Sequence, residues 1–166
     1  MNYLKRLVVM AERVFQGVAA LMLFAIMLIV VVDVAMRYFF NAPLGWSYGL
    51  ISLYLMVGLF YFSLSDTLHH DGHVRVDILQ ERFSPPMKSV ADLACYSSAG
   101  IVVAAMLWMT VLRTWESFQG GDVLAGAIAW PTWIAYLPVP LGLGLMLLRI
   151  FLIVTERVQA LSRTSR

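Results

Sequence analysis

The sequence predicts an all-α integral membrane protein of four transmembrane helices, with the N and C termini in the cytoplasm. Three observations predict it. Hydrophobic residues make up 61% of the 166 and charged residues only 13%; the apolar residues gather in four runs of spanning length; and the basic residues cluster at one end of those runs. A soluble domain carries about 25% charged residues, so the bilayer is the natural solvent for this chain. A hydrocarbon core of about 30 Å takes roughly 20 apolar residues per helix. Four spans therefore fill residues 1–166 as one membrane domain, and no sizeable soluble domain fits.

The first span, residues 14–36, is built on the run from Val14 to Val32 and follows Lys5, Arg6, Glu12 and Arg13. A charged head before an apolar body also describes a signal peptide. This run is longer than a signal core, however, and leads into Asp33 to Phe40 rather than a small-residue cleavage site, so it is expected to stay as an anchor. The second span, residues 48–68, holds no charge before Asp66. The third covers 89–112 and the fourth 129–154. Lipid offers no partners for open backbone groups, so each run must be helical.

Orientation follows from the twelve Lys and Arg residues. Lys5, Arg6 and Arg13 precede span one; Arg75, Arg82 and Lys88 lie between spans two and three; Arg149, Arg157, Arg163 and Arg166 end the chain. Only Arg37 and Arg113 fall on the other side. Under the positive-inside rule this bias places both termini and the middle loop in the cytoplasm. Every tryptophan (Trp46, Trp108, Trp115, Trp130 and Trp133) then collects toward the outer face, either as an interfacial aromatic belt or as a docking surface for an outer partner.

Several function classes fall away. The single cysteine, Cys95, can form neither an intrachain disulfide nor a cysteine-rich metal site. A net charge of +2, with basic residues in groups of one to three, gives no nucleic-acid footprint. Transporters that move ions or charged solutes place ionisable groups near mid-bilayer, and here the charges Asp33, Arg37, Asp66, Asp92 and Arg149 all lie toward span ends. Mid-span polarity reduces to Cys95 and hydroxyls such as Ser52, Ser97 and Ser98. A four-helix exporter would carry a carboxylate, such as a glutamate, within its first span, and residues 14–36 hold no glutamate.

The edge charges read as structural pairs. Asp33 and Arg37 are four apart on one helix and should face each other. Asp92 and Arg149 are expected at similar depth on antiparallel neighbours, where pairing lowers the cost of burying either. Ala99, Gly100, Ala104, Ala105, Gly142 and Gly144 allow close helix approach. Pro138 and Pro140 fall inside the fourth span and predict a kink, tolerated if neighbouring protein covers that helix. Pro131 suits a first turn.

Between spans two and three lie all three histidines, His69, His70 and His73. His69 and His73 have the spacing of a chelating pair, but Gly72 interrupts the helix and no further ligand completes a set. No metal and no cofactor is therefore expected. Residues 74–83 instead place Val74, Ile78 and Leu79 on one face, with Arg75, Asp77, Glu81 and Arg82 elsewhere, as a short interfacial amphipathic helix ended by Pro85 and Pro86. It serves either as a plain link between spans or as a cytoplasmic contact.

Three segments together carry a resemblance: Arg37-Tyr38-Phe39-Phe40-Asn41-Ala42-Pro43-Leu44-Gly45-Trp46-Ser47 after span one, Gly72-His73-Val74-Arg75-Val76-Asp77-Ile78-Leu79 after span two, and Trp130-Pro131-Thr132-Trp133-Ile134-Ala135-Tyr136 opening span four. In that order, around four spans, the chain resembles the small membrane subunit (DctQ/SiaQ-like) of tripartite ATP-independent periplasmic (TRAP) transporters. It departs from the family in having Tyr48-Gly49 where one or two glutamates commonly follow the Trp-Ser pair. The resemblance implies a non-catalytic subunit, not an enzyme, in the bacterial inner membrane. Such a subunit packs against a large multi-span subunit and extends its static scaffold, while sodium drives uptake of an organic acid delivered by a periplasmic substrate-binding protein. Membrane lipids are further partners. The residues it points to are Arg37, Asn41, Pro43 and Trp46 at the outer loop, His73, Arg75 and Asp77 at the inner loop, and Trp133 and Tyr136 at the start of span four, as loop-shaping and subunit-contact groups. For Arg37 and Arg75, headgroup and topology anchoring is the competing role. The alternatives from other classes are a membrane anchor of a redox complex and a small homo-oligomeric exporter.

Overall fold

The computed structural model describes residues 2–69, 85–124 and 128–164. In chain order these form α1 (Asn2–Phe40), α2 (Ser47–Leu50), a π-helical turn (Ile51–Leu55), α3 (Met56–His69), α4 (Pro85–Gly120), α5 (Thr132–Tyr136) and α6 (Pro138–Thr164). Four stretches are long and apolar enough to cross a membrane: Lys5–Phe40, Ser47–Leu68, Ala91–Gly120 and Thr132–Gln159. The expected four-span, all-helical architecture is what the chain adopts. The interfacial helix expected at residues 74–83 lies outside the described residues.

The helices overrun their apolar runs. At 1.5 Å per residue the 39 residues of α1 extend about 58 Å, nearly twice the hydrocarbon thickness. Its first turns, with Lys5, Arg6, Glu12 and Arg13, are helical rather than a disordered head, because one packed stripe continues through them: Val8, Ala11 and Phe15 meet Leu145 and Leu152 of α6. The helix stops at Asn41, whose φ of 50° is a left-handed conformation that asparagine tolerates. The turn sends the Ala42 amide back to the Met36 carbonyl at 3.3 Å, one of the acceptors a helix end leaves open.

The spans alternate in direction, so one end of the molecule carries the start of α1 and the end of α6 and the other carries residues 41–46, 121–124 and 128–131. We call these the termini end and the loop end. Between them α6 is central. It packs against α3 and α4 and, more lightly, against α1, while α1 packs mainly on α3. Of the most apolar window of each span, 39% is buried in the fourth and 6% in the first and third, so α1 and α4 are flanks with most of their surface turned outward.

Close approach at the centre depends on one glycine. A Cβ on Gly142 of α6 would lie 2.2 Å from the Tyr61 carbonyl oxygen of α3, a backbone atom that cannot swing aside. Gly144, expected in the same role, has nothing within 4 Å. Around Gly142, Val103, Leu143 and Ile150 form the core with Tyr61, Leu64 and Leu107.

The kink expected from Pro138 and Pro140 takes a different form. Helix α5 ends at Tyr136, Leu137 bridges, and α6 begins at Pro138. Leu137 keeps helical angles, φ −54° and ψ −41°, and donates to the Trp133 carbonyl at 3.0 Å, so the two prolines remove donors from the ladder within a backbone that stays helical. Pro131 is the N-cap of α5, with φ −67° and ψ 125°. The fourth span is covered by protein on α6, as the internal prolines suggested, with Pro138 itself buried.

An aromatic loop end and a charge-tied termini end

At the loop end a single carboxylate organises the turn between the first two spans. Asp33 Oδ1 accepts from the Leu44 amide at 2.8 Å and from Ser47 Oγ at 3.4 Å, and Oδ2 accepts from Arg37 Nη2 at 3.0 Å. Ser47 is buried and also donates to the Leu44 carbonyl at 2.8 Å. The i,i+4 spacing read from sequence therefore brings Asp33 and Arg37 into contact, but the carboxylate does more than neutralise the arginine. It folds residues 41–47 back onto α1. The arginine remains largely exposed at 62% of its side chain. Asn41 supplies the left-handed turn, and Pro43 sits exposed on the loop surface.

Trp46 caps α2 and lines a cavity of about 500 Å³ with Tyr48, Ser52, Tyr54, Leu124 and Trp130. The π-helical turn shapes this wall: the extra residue per turn displaces Tyr54, whose hydroxyl donates to the Pro131 carbonyl at 2.9 Å while its ring lies 5.8 Å from Trp130. Ser52 bonds back onto the Tyr48 carbonyl at 2.7 Å and offers no free hydroxyl hydrogen.

Trp133 belongs to a separate concavity. Its indole meets Phe118 edge to face at 5.5 Å, and together with Val111, Trp115, Leu137 and Pro140 they line an apolar groove of about 420 Å³ between α4 and α5–α6. Beneath it, the hydroxyls of the buried Ser117 and of Thr132 lie 2.6 Å apart, and Thr132 donates to the Asp122 carbonyl at 2.9 Å. Tyr136 ends α5 with 37% of its surface open. The loop end thus presents two aromatic concavities, and of the sequence-predicted residues Trp46 lines the first and Trp133 the second, while Arg37, Asn41 and Pro43 belong to the turn held by Asp33 and Tyr136 to the end of α5. His73, Arg75 and Asp77 lie outside the described residues.

At the termini end the ties run between helices distant in sequence. Glu12 of α1, 2% exposed, accepts from Ser65 Oγ of α3 at 2.8 Å through Oε1, and its Oε2 lies 3.5 Å from Arg149 Nη1 of α6. The second is an ionic contact without hydrogen-bond geometry. Asp92 of α4 meets Arg157 of α6 at 3.2 Å, and Lys5 of α1 meets Glu156 of α6. Asp92 and Arg149, expected to face each other, thus make these contacts with Arg157, two turns beyond Arg149 on α6, and with Glu12. The statement that the first span has no glutamate is also refined, since α1 begins well before residue 14 and holds Glu12 buried near the span's edge.

Sequence reasoning missed Glu12, Ser65 and Tyr54 as structural residues. Glu12 carried a signal that was readable: a lone acid on the stripe of Val8, Ala11 and Phe15. Among the described residues, no group of three or more His, Cys, Asp or Glu side chains could hold a metal ion. Apart from Glu12 and Arg149, no ionisable side chain is buried among them.

Among the described residues, the two buried ionisable side chains, Glu12 and Arg149, thus contact each other, and α1 and α4 keep most of their surface exposed. Residues 26–160 match the family model described as tripartite ATP-independent periplasmic transporters, DctQ component. Among curated proteins, none matches the chain.

Proposed function

The chain belongs to the DctQ family, the small permease subunit of tripartite ATP-independent periplasmic transporters of the inner membrane, and from that premise we propose that it works as a static brace for the large membrane subunit. It is a transporter component rather than an enzyme. The observation that supports bracing is the state of its buried charges: Glu12 and Arg149, the two buried ionisable residues described, contact each other at one edge of the spans. Cargo-handling groups near mid-bilayer are what a conducting subunit requires, and polarity in the middle of the described spans otherwise comes from Cys95 and from hydroxyls such as Ser98, which bonds back to its own helix.

In this reading the termini end faces the cytoplasm, as the ten-to-two distribution of Lys and Arg favours, and the loop end faces the periplasm. One flank, α1 or α4, packs against the large subunit and widens its fixed frame. Sodium-driven movement of an organic acid takes place in that partner, with cargo delivered by a periplasmic binding protein. Arg37, Asn41, Pro43 and Trp46 then shape the periplasmic surface with Trp133 and Tyr136, and His73, Arg75 and Asp77 serve the cytoplasmic contact.

The test is purification in mild detergent from the native membrane, paired with vesicle flux. A large polytopic protein should copurify with this chain, vesicles of this chain alone should show no sodium-dependent organic-acid uptake, and the two together with a binding protein should restore it. Uptake by this chain alone, abolished by substitutions within its own spans, would refute the proposal.

A further inference from the structure

Beside the packed stripe of α1 runs a second face with a different composition. Lys5, Arg6 and Arg13 surround a floor of Val9 and Met10 in a concavity of about 400 Å³. Arg6 and Arg13 are exposed, and seven residues of helix set them about 10 Å apart along the axis. The acid adjacent to Arg13, Glu12, turns inward to Ser65 and Arg149, and Glu156 is taken by Lys5. Among the described residues no carboxylate forms an ion pair with Arg6 or Arg13, so the face keeps its positive charge.

Following the same face into the apolar run, the side-chain wall disappears. Gly17 lies four residues beyond Arg13, and a Cβ placed there would meet nothing within 4 Å. Ala20 follows, also exposed, and the notch is closed beyond it by Leu21 and Phe24, 67% and 53% exposed. A cationic cradle at the membrane surface thus leads directly into a shallow apolar trough.

We propose that this face of α1 binds an anionic glycerophospholipid, with its phosphate between Arg6 and Arg13 and an acyl chain in the notch at Gly17 and Ala20. The forked guanidinium donors suit a phosphate, while Lys5 at the rim is held by Glu156. The trough selects the lipid over inorganic phosphate, which would satisfy the arginines and leave the notch unused. The site stands independently of which subunit the chain braces.

The test uses the full chain in neutral detergent, with phosphatidylglycerol or phosphatidylcholine added as mixed micelles and bound lipid read by native mass spectrometry. Phosphatidylglycerol should be preferred about thirtyfold, equivalent to ~2 kcal/mol or ~1 per arginine. The double substitution Arg6→Gln/Arg13→Gln should cut that preference to below about threefold, with helicity by circular dichroism unchanged. Arg113→Gln, a cation at the opposite end, should leave it intact. Gly17→Leu should weaken phosphatidylglycerol binding several-fold by filling the trough while leaving both arginines in place. Equal binding of the two lipids, a preference that survives the double substitution, undiminished binding to Gly17→Leu, or displacement of the lipid by inorganic phosphate alone would each overturn the proposal.

Discussion

The two ends of the molecule are held together by different means. At the termini end, Glu12, Ser65 and Arg149, with Lys5–Glu156 and Asp92–Arg157, tie all four spans through pairs far apart in the chain. At the loop end, Asp33 binds Arg37, Leu44 and Ser47, all within fourteen residues of it, and Ser117 meets Thr132 across fifteen. Long-range charge contacts fix how the helices stand relative to one another; short-range hydrogen bonds fix the shape of each turn. The termini end therefore sets the register of the whole bundle, whereas the loop end forms two local surfaces joined chiefly by Tyr54 and Pro131. A brace needs both: a frame that does not slide and a face that keeps its contour.

The largest expected effect comes from breaking the frame. Arg149→Gln leaves Glu12 charged and buried with only Ser65 as partner, and should destabilise the bundle by about 3–5 kcal/mol, the cost typical of orphaning one member of a buried pair. The double substitution Glu12→Gln/Arg149→Gln should recover much of that loss, measured as the midpoint of unfolding in detergent. If the single and double variants melt alike, the pair does not hold the register. Next comes Gly142→Ala, whose methyl collides with the Tyr61 carbonyl; about 1–3 kcal/mol is expected for overpacking, against no measurable change for Gly144→Ala in the same assay.

Smaller effects belong to the loop end. Asp33→Asn removes charge from three bonds at once and should cost about 1–2 kcal/mol, read best as faster proteolysis within residues 41–46 with little change in global melting. Tyr54→Phe should cost only about 0.6–1 kcal/mol and loosen the join between the two aromatic concavities. A cycle combining Asp33→Asn with Arg149→Gln sharpens the contrast. Sites this far apart should add to within about 0.5 kcal/mol, and strong coupling between them would show that the two ends are one network.

Composition carried the class of fold, and the apolar runs located all four spans. Their limits were less legible. The packed stripe extends α1 far below Val14, and the division between α5 and α6 at Leu137 marks donors missing at Pro138 and Pro140 in a backbone that stays helical. Within the site, the Asp33–Arg37 contact could be read because both residues lie on one helix with fixed geometry. The contacts of Asp92 with Arg157 and of Arg149 with Glu12 could not, because relative depth across two helices depends on rotation and stagger that hydropathy does not encode. Glu12 was hidden for the same reason: its partners sit on α3 and α6, and nothing nearby in the chain announces them. The π-helical turn at Ile51–Leu55 has no evident residue signature, with Ser52 and Tyr54 its two polar side chains.

The central position of α6 also has a consequence for biosynthesis. Chains leave the ribosome from the N-terminal side, so α1, α3 and α4 enter the bilayer before the helix that contacts all three of them has been made. Until α6 arrives, Glu12 lacks its arginine, Asp92 lacks Arg157, and the groove that admits Gly142 stands open to lipid. Before then α1 and α3 can already pack through Glu12 and Ser65, whereas α4, which packs chiefly on α6, gains its place only when that helix arrives, consistent with insertion first and association second.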